Sequence, residues 1–443
     1  MKYLLIWQNI NFDLFVILLE SINLQHILNG NLTYKNSERY FEIVAYIGIV
    51  LLFTGFLFNR VVSNVGFVII GIYTLSKFNE VKWLFKDKWL LTFLSLALLP
   101  LLSDILLEGL DFYRFRGIMK FLLVLFPFFI FALKPQENLT RNFIYFFILL
   151  MLISSFYSLF HYFSDINNMT SVYKVSKVMP VLSFGDHIRI SWATVISCLL
   201  ALYLMTETNS MFSKVSLGLY IIFQIIFLHL LGSKTGLISL YLTLMVLTLY
   251  TLKGKARWFL LLIFPLILSL PLIAYITIPS LQQRFNFIKY DYEHYMRGEY
   301  KEGLSDAVRF YSLKAGKDIV TSNPMFGTGF SSLQDKTNEW YKNNVPAMPA
   351  ENYFLPSNQL LIYWASGGIL GLIVFLSHIF LPFFTPYLRS NVWFMAFFIP
   401  AIFSFMYETH LEGQLPLFIY SLFVSWFWFL AYKKNAVNAA QSA

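Results

Sequence analysis

Residues 307–316 have the sequence AVRFYSLKAG, and residues 323–330 have the sequence NPMFGTGF. Both stretches lie in a polar segment that runs from Pro279 to Asn358, between two long apolar runs. Nearly all of the remaining chain is hydrophobic enough for a membrane interior. Because a large polar insert supplies chemical groups that membrane spans alone lack, we expect this insert to form most of an active site.

The composition indicates a polytopic membrane protein. The chain has 443 residues, of which 58% are hydrophobic and only 13% are charged, whereas a soluble domain carries about 25% charged residues. The net charge of +9 does not indicate nucleic-acid binding, because the basic residues are scattered over short loops. An excess of Lys and Arg in loops that remain on the cytoplasmic side is the simpler explanation.

Apolar runs long enough to cross about 30 Å of hydrocarbon predict an all-α fold with about twelve transmembrane helices. These runs fall near residues 43–59, 61–76, 88–104, 117–133, 143–163, 190–206, 214–231, 236–252, 257–278, 358–383, 391–407 and 415–432. The second run is short and has the length of a re-entrant segment. Residues 4–28 are either an interfacial helix or a poor first span.

Three regions follow from this pattern. Residues 1–278 contain the N-terminal transmembrane helices, residues 279–357 form the insert, and residues 358–443 contain the C-terminal transmembrane helices. The distribution of Lys and Arg over the short loops predicts that the insert lies on the extracytoplasmic side of the membrane.

The insert itself contains one clear helical pattern. Ser305 is the predicted N-cap of a helix over residues 306–321. Apolar residues recur there at helical spacing and form one face to pack on the bundle; they are Leu304, Val308, Tyr311, Ala315 and Ile319. Arg309, Ser312 and Gly316 lie towards another face. The polar region from residue 340 to residue 351 contains two prolines and is predicted to be a surface loop.

Two arginines are candidates for phosphate binding. Arg309 lies on the short helix of the insert, where its planar fork of donors suits a phosphate; the alternative is a surface arginine on an amphipathic helix. Arg189 leads directly into an apolar run, where a charge is costly unless it reaches water or pairs. Asp186 is its predicted partner, and structural anchoring and function are both open for this arginine.

Two short turns between spans contain further candidates. Lys234 lies in the sequence GSKTG at residues 232–236, which lacks the spacing and context of a nucleotide-binding loop. A lysine facing a lipid pyrophosphate remains an open interpretation. Residues 407–412 have the sequence YETHLE, in which Glu408 and His410 are candidates for proton transfer, or else part of an interfacial turn. The sequence DYEH at residues 291–294 does not have the ligand spacing of a zinc motif, so we predict no metal site.

The order of these motifs resembles that of the O-antigen ligase and O-antigen polymerase superfamily of bacterial membrane glycosyltransferases. The resemblance rests on HIR at residues 187–189, GSKT at 232–235, the Arg309 helix, NPMFGTG at 323–329, PSNQ at 356–359 and GGILGL at 367–372. It implies a helical glycosyltransferase of the C type in the bacterial cytoplasmic membrane, with no nucleotide-sugar domain, no required metal and no cofactor. The implied donor is a glycan on undecaprenyl pyrophosphate, and the implied acceptor is a hydroxyl of lipid A–core, of another lipid-linked repeat unit or of a protein.

The resemblance also assigns roles to individual residues. Arg189 and Arg309 match the functional arginines of the family, and with Lys234 and His187 they are the expected ligands of the donor pyrophosphate. The family usually has His-Asn directly before the helix that follows the insert, and here the matching residues are Ser357 and Asn358. Serine does not serve as a base unaided. The candidates for a displaced base are Glu351, His410, Glu408 and His187.

Two other functions remain open. A flippase or another transporter of lipid-linked oligosaccharides would place ionisable residues near the bilayer midplane and show symmetry between its halves. The predicted spans are nearly free of charge, and no such symmetry is visible, which favours an enzyme. An inactive family member that acts as a scaffold in polysaccharide export is the third interpretation, suggested by Ser357.

Overall fold

A computed structural model of the protein describes residues 34–107, 117–134, 137–166, 179–183, 186–252, 260–301 and 303–442. These residues form helices and contain no strand, which confirms the prediction of an all-α polytopic membrane protein. The chain divides into two compact units, residues 1–47 and residues 48–443. In the first unit the description begins at Tyr34, so the predicted segment 4–28 lies outside the described residues.

Eleven α-helices are described before the insert. In chain order they are α1 (Tyr34–Phe58), α2 (Arg60–Ser76), α3 (Phe78–Val81), α4 (Lys88–Leu107), α5 (Gly117–Lys120), α6 (Leu122–Leu133), α7 (Glu137–Ser164), α8 (His187–Glu207), α9 (Met211–Leu231), α10 (Lys234–Thr251) and α11 (Leu260–Thr277).

The insert and the C-terminal part contain seven further helices in the described chain. They are α12 (Pro279–Met296), α13 (Ser305–Ser322), α14 (Leu333–Asn344), α15 (Gln359–Phe384), α16 (Pro386–Arg389), α17 (Val392–Ser404) and α18 (Gln414–Ser442). Helix α11 ends two residues before Pro279 and helix α15 begins at Gln359, so these helices end and begin close to the predicted limits of the insert. The division into three regions stays a prediction.

The predicted count of about twelve spans is not confirmed within the described residues. Within the described residues, 7 helices are long and apolar enough to cross a membrane, or up to 9 if each of two bent helix pairs is one span. Three further apolar stretches of 10–17 residues lie in helices α4, α6 and α17, and at 1.5 Å per residue each stretch covers at most about 26 Å. The predicted run at 61–76 belongs to a bent pair, in which helix α2 meets residues 78–86 at 73°.

Helix α13 has the apolar face that the sequence predicts. Leu304, Val308, Tyr311 and Ala315 are buried in one cluster with residues of helices α12 and α14, and Ile319 is buried in a neighbouring cluster. This confirms the predicted spacing, because one face of a helix recurs every three to four residues.

The start of helix α13 differs from the prediction in its capping. The N-cap residue is Leu304, which makes no side-chain cap, and Ser305 is already the first helical residue. The amides of Asp306 and Ala307 instead donate to the two carboxylate oxygens of Asp291, at 2.6 and 2.8 Å. A buried carboxylate from helix α12 therefore satisfies donors that a local cap usually satisfies. The sequence around Ser305 does not indicate this partner, because Asp291 belongs to the preceding helix.

The predicted surface loop at residues 340–351 is partly wrong. Helix α14 continues to Asn344, and the side chains of Trp340 and Tyr341 are buried in the core of the insert. Trp340 Nε1 donates to a carboxylate oxygen of Asp318 at 2.9 Å. The helix is polar on average because only a narrow stripe of it faces the core, so its overall composition resembles that of a loop.

Helix α15 is broken where the turn at residues 325–329 meets it. Gly368 has φ of 59° and ψ of −151°, which interrupts the helical hydrogen-bond ladder. The turn replaces the missing partners: Thr328 N and Gly329 N donate to the carbonyls of Ala365 and Ser366 at 2.8 and 2.9 Å, and Ile369 N donates to the carbonyl of Met325 at 3.1 Å. A break in a membrane helix is stable only when its backbone groups are satisfied in this way. We call this contact the turn–helix clasp.

Two glycines allow the turn–helix clasp to close. A Cβ atom at Gly368 would lie 2.1 Å from the Met325 carbonyl oxygen, and a Cβ atom at Gly327 would lie 2.3 Å from the Ser366 carbonyl oxygen. Both residues also have positive φ, a conformation that side chains with a Cβ rarely adopt. The glycines of the NPMFGTG and GGILGL motifs therefore meet in space.

Candidate functional site

A cavity of about 680 Å³ lies where the insert meets the ends of helices α8 and α10. Its lining comes from the starts of α8 and α10, from α12, from the first turns of α13, from the loop at 352–357 and from the turn at 408–413. The cavity brings together most of the residues singled out from the sequence; they are His187, Arg189, Lys234, Arg309, Ser357 and Glu408. The volume is in the range of small-molecule sites.

Arg309 and Glu408 form an ion pair in this cavity. Arg309 Nη2 donates to Glu408 Oε1 at 2.7 Å, and the Thr235 hydroxyl donates to the same oxygen at 3.3 Å. The Glu408 side chain is 7% exposed, whereas the Arg309 side chain is 31% exposed. Arg309 therefore remains open to a ligand while its carboxylate partner lies behind it. This pair joins helix α13 of the insert to the turn before helix α18.

Arg189 lies in the first turn of helix α8. Asp186 caps this helix by accepting from Arg189 N at 3.2 Å, and its carboxylate lies 3.5 Å from Arg189 Nη1. The predicted partnership with Asp186 is thus present. Arg189 Nε is buried and has no hydrogen-bond partner within the described residues. His187 begins the same helix and also lines the cavity.

Lys234 begins helix α10 and pairs with the insert. Its Nζ forms a short ion pair with Asp306 Oδ2 at the start of helix α13. Arg284 and Arg309 line the same cavity, and their positive charges act on Lys234. A hydrogen bond of 2.8 Å between the hydroxyls of Ser191 and Ser233 joins the starts of helices α8 and α10, which brings Arg189 and Lys234 to the same cavity.

Ser357 lies beside the turn of helix α13 that contains Arg309. Ser312 Oγ donates to the Arg309 carbonyl at 2.7 Å, lies 3.0 Å from Ser357 Oγ and accepts from Ser357 N at 3.0 Å. One turn further on, a Cβ atom at Gly316 would lie 2.8 Å from the Pro356 ring. The face of the helix that carries Arg309, Ser312 and Gly316 therefore packs against the loop that precedes helix α15.

His410 does not line the cavity. Its side chain is fully buried and stacks on Trp192 with ring centres 4.4 Å apart. Burial, and then the positive charge of Arg189, hold the pKa of His410 well below its usual value. Neither ring nitrogen has a hydrogen-bond partner within the described chain. The structure thus gives this candidate base no route to an acceptor in the cavity.

Asn358 and Glu351 also lie outside the cavity lining. The Asn358 side chain caps helix α15 by accepting from Leu361 N at 3.0 Å, and its Nδ2 donates to the Met406 carbonyl at 3.1 Å. Glu351 is exposed in a short 3₁₀ turn. The amide of Asn358 is therefore used for helix capping, because an N-cap requires an oxygen acceptor at this position.

Arg284 is a cavity residue that the sequence analysis missed. It belongs to helix α12, lines the cavity and is 7% exposed. In the sequence it is one of several charged residues in a polar helix, so its spacing alone does not distinguish it. The packing of helix α12 against helix α13 places it beside the other basic groups of the cavity.

Lys120 is the second residue that the sequence analysis missed, and it forms an ion pair with a residue of the cavity lining. The side chain is 2% exposed, and Nζ lies 2.8 Å from Glu412 Oε1 and 3.4 Å from the Tyr363 hydroxyl. Gln359 Nε2 donates to the same Glu412 oxygen at 2.8 Å, and Glu412 lines the cavity. A lysine beside the apolar run 122–133 is a recognisable signal, since charges inside membrane segments are rare and need partners.

The DYEH sequence at 291–294 has a structural use. Both carboxylate oxygens of Asp291 accept from backbone amides of helix α13. Elsewhere too, the described residues contain no group of three or more His, Cys, Asp or Glu side chains that could hold a metal ion.

The fold and the cavity together define a class: a multi-pass helical membrane protein with a strongly charged site where a polar insert meets its spans. Residues 219–376 match the family model described as O-antigen ligase. This match covers about a third of the chain and confirms the superfamily that the motifs resemble. It supports an enzyme of glycosyltransferase type. No curated protein matches the chain significantly.

The family match covers part of the candidate site. Lys234, Arg309 and Ser357 lie inside the matched residues, whereas Arg189 and Glu408 lie outside them. The cavity therefore combines matched residues with groups from both flanking regions of the chain.

Proposed function

We propose that the protein transfers a glycan from an undecaprenyl-pyrophosphate donor to an acceptor hydroxyl, on lipid A–core or on a growing polymer. The reaction takes place at the outer, periplasmic face of the bacterial cytoplasmic membrane. The observation that carries this proposal is the convergence of Arg189, Lys234 and Arg309 in one cavity beside the membrane helices. The match to the O-antigen ligase family supports the reaction class.

The basic groups bind the donor pyrophosphate in this proposal. Arginine and lysine donors stabilise phosphate oxygens through charge-assisted hydrogen bonds. Negative charge on the pyrophosphate increases as its bond to the sugar breaks, so donors aimed at those oxygens lower the barrier. Arg309 is the principal ligand because its guanidinium remains partly exposed to the cavity. Arg189, Lys234 and His187 complete the set.

Glu408 is the proposed base in place of the histidine that Ser357 replaces. In the free protein its carboxylate is paired with Arg309. Donor pyrophosphate attracts the Arg309 guanidinium and loosens this pair, which leaves Glu408 available to the acceptor. The acceptor oxygen then bonds to the anomeric carbon as the bond from that carbon to the pyrophosphate oxygen breaks. The electron pair leaves with the pyrophosphate, and the acceptor proton passes to Glu408.

The test is transfer by purified protein in lipid nanodiscs, with a fluorescent glycan on undecaprenyl pyrophosphate as donor. Arg309→Ala is expected to lower the rate by about a hundredfold or more, because it removes a donor that acts on developing charge. Lys314→Ala is the matched control, since Lys314 is an exposed basic residue of the same helix outside the cavity lining. Unchanged transfer by well-folded Arg309→Ala protein contradicts the proposal.

A further inference from the structure

The cavity lining divides into two parts of different chemistry. One part is charged and contains four basic side chains, Arg189, Lys234, Arg284 and Arg309, and three acidic ones, Asp306, Glu408 and Glu412. The other part comes from the loops of the insert and from helix α14. It consists of Tyr300, Gln334, Asn352, Tyr353, Phe354 and Leu355, which we call the neutral lining. The neutral lining contains no Asp, Glu, Lys, Arg or His.

The neutral lining is a built surface with defined ring positions. The Tyr353 ring stacks on the buried Tyr341 ring, with centres 4.8 Å apart and planes 7° from parallel. Asn352 Nδ2 donates to the Tyr300 hydroxyl at 2.6 Å, which joins the loop at 352–355 to the segment before helix α13. Phe354 is 52% exposed although it is a large apolar side chain. A loop that presents such a ring beside amide groups has the composition of a ligand surface.

This composition suits an uncharged sugar. Aromatic rings pack against the C–H faces of pyranose rings, and amide and hydroxyl groups of Asn352, Gln334 and Tyr300 hydrogen-bond with sugar hydroxyls. A phosphate or carboxylate on the sugar finds no basic group within the neutral lining. In the proposed function the basic groups of the charged lining hold the donor pyrophosphate, whose own negative charge repels an anionic acceptor sugar.

We propose that the neutral lining binds the acceptor sugar, and that this sugar carries neither phosphate nor carboxylate. The inference rests on the proposed function, because it takes the charged lining as the donor site. It names a substrate class that the sequence left open: the acceptor hydroxyl belongs to a neutral sugar rather than to a phosphorylated or acidic one.

Binding of free sugars tests this inference without any transfer reaction. The probes are neutral trisaccharides built from glucose, galactose, mannose, N-acetylglucosamine or N-acetylgalactosamine, each compared with its 6-phosphate. Saturation-transfer NMR on the purified protein in nanodiscs that contain undecaprenyl pyrophosphate, which occupies the charged lining, is expected to show binding of at least one neutral trisaccharide. Its 6-phosphate is expected to bind at least tenfold more weakly. The inference is overturned if no neutral trisaccharide binds, or if the phosphorylated form binds equally well.

A variant pair locates the binding surface. Phe354→Ala is expected to weaken binding of the neutral trisaccharide by about five- to tenfold, because one aromatic contact is lost. Phe354→Tyr is expected to restore this binding. Met325→Ala is the control, because Met325 is 61% exposed but lies outside the cavity lining. Equal binding by Phe354→Ala and the parent overturns the assignment.

The outcomes separate this inference from the proposed function. Sugar binding at the neutral lining without any glycosyl transfer contradicts the proposed function and leaves the sugar site in place. Transfer that uses phosphorylated and neutral acceptors at the same rate contradicts the inference and leaves the proposed function in place.

Discussion

Replacing Lys120 by methionine breaks a buried ion pair beneath the cavity. The attraction between Lys120 Nζ and Glu412 Oε1 at 2.8 Å amounts to about 6 kcal/mol at an effective dielectric constant of about 20. The cost of removing both charges from water offsets much of this attraction. The loss on removing one partner is nevertheless about 3–5 kcal/mol, because the other charge stays buried and unpaired. We expect Lys120→Met to lower the free energy of unfolding by that amount.

The measurement is unfolding by SDS titration in mixed micelles, with Glu412→Gln and the double variant measured alongside. The double variant is expected to recover much of the loss, since neither charge then remains in the interior and Gln359 still has an acceptor. Transfer activity is expected to fall in both single variants, because Glu412 lines the cavity. The reasoning is refuted if Lys120→Met unfolds at the same denaturant concentration as the parent, or if the double variant is no more stable than the single ones.

Two further predictions concern the turn–helix clasp and the buried histidine. Gly368→Ala places a Cβ 2.1 Å from the Met325 carbonyl oxygen and is expected to cost at least about 3 kcal/mol of unfolding free energy. Gly218→Ala, where a Cβ meets nothing within 4 Å, is the control and is expected to gain about 0.5–1 kcal/mol; equal stabilities would show that the clasp tolerates a side chain. Burial lowers the pKa of His410, so below pH 6 the unfolded chain binds a proton that the folded protein does not. The free energy of unfolding therefore decreases by about 1.4 kcal/mol for each pH unit of acidification. His410→Leu is expected to remove this part of the slope in pH-dependent unfolding while transfer continues, and loss of transfer in a folded variant would identify His410 as part of the chemistry.

The sequence predicts those features of the fold that depend on local spacing. The buried face of helix α13 follows from a helical period, and the contact between Asp186 and Arg189 follows from their separation by three residues. The membrane character of the chain follows from its apolar runs. None of these features requires knowledge of which helices become neighbours.

The features that the sequence analysis missed depend on contacts between distant segments. Lys120 and Glu412 are 292 residues apart, and nothing in either local sequence indicates the other. Asp291 caps a helix that begins 14 residues later in the chain, so the neighbouring Ser305 was the better local candidate and was wrong. For Asn358, a polar residue directly before a helix, the sequence is compatible with both capping and catalysis. The hydrogen bond from Leu361 N shows that its side chain caps helix α15.

The turn–helix clasp limits how this protein is assembled and how it can be re-engineered. The two halves of helix α15 depend on residues 325–329 for hydrogen bonds that a continuous helix supplies itself. The arrangement of helix α15 around its break therefore depends on the turn of the preceding insert. A chimera that exchanges the insert alone leaves the break at Gly368 without partners, so the insert and helix α15 have to be transplanted together.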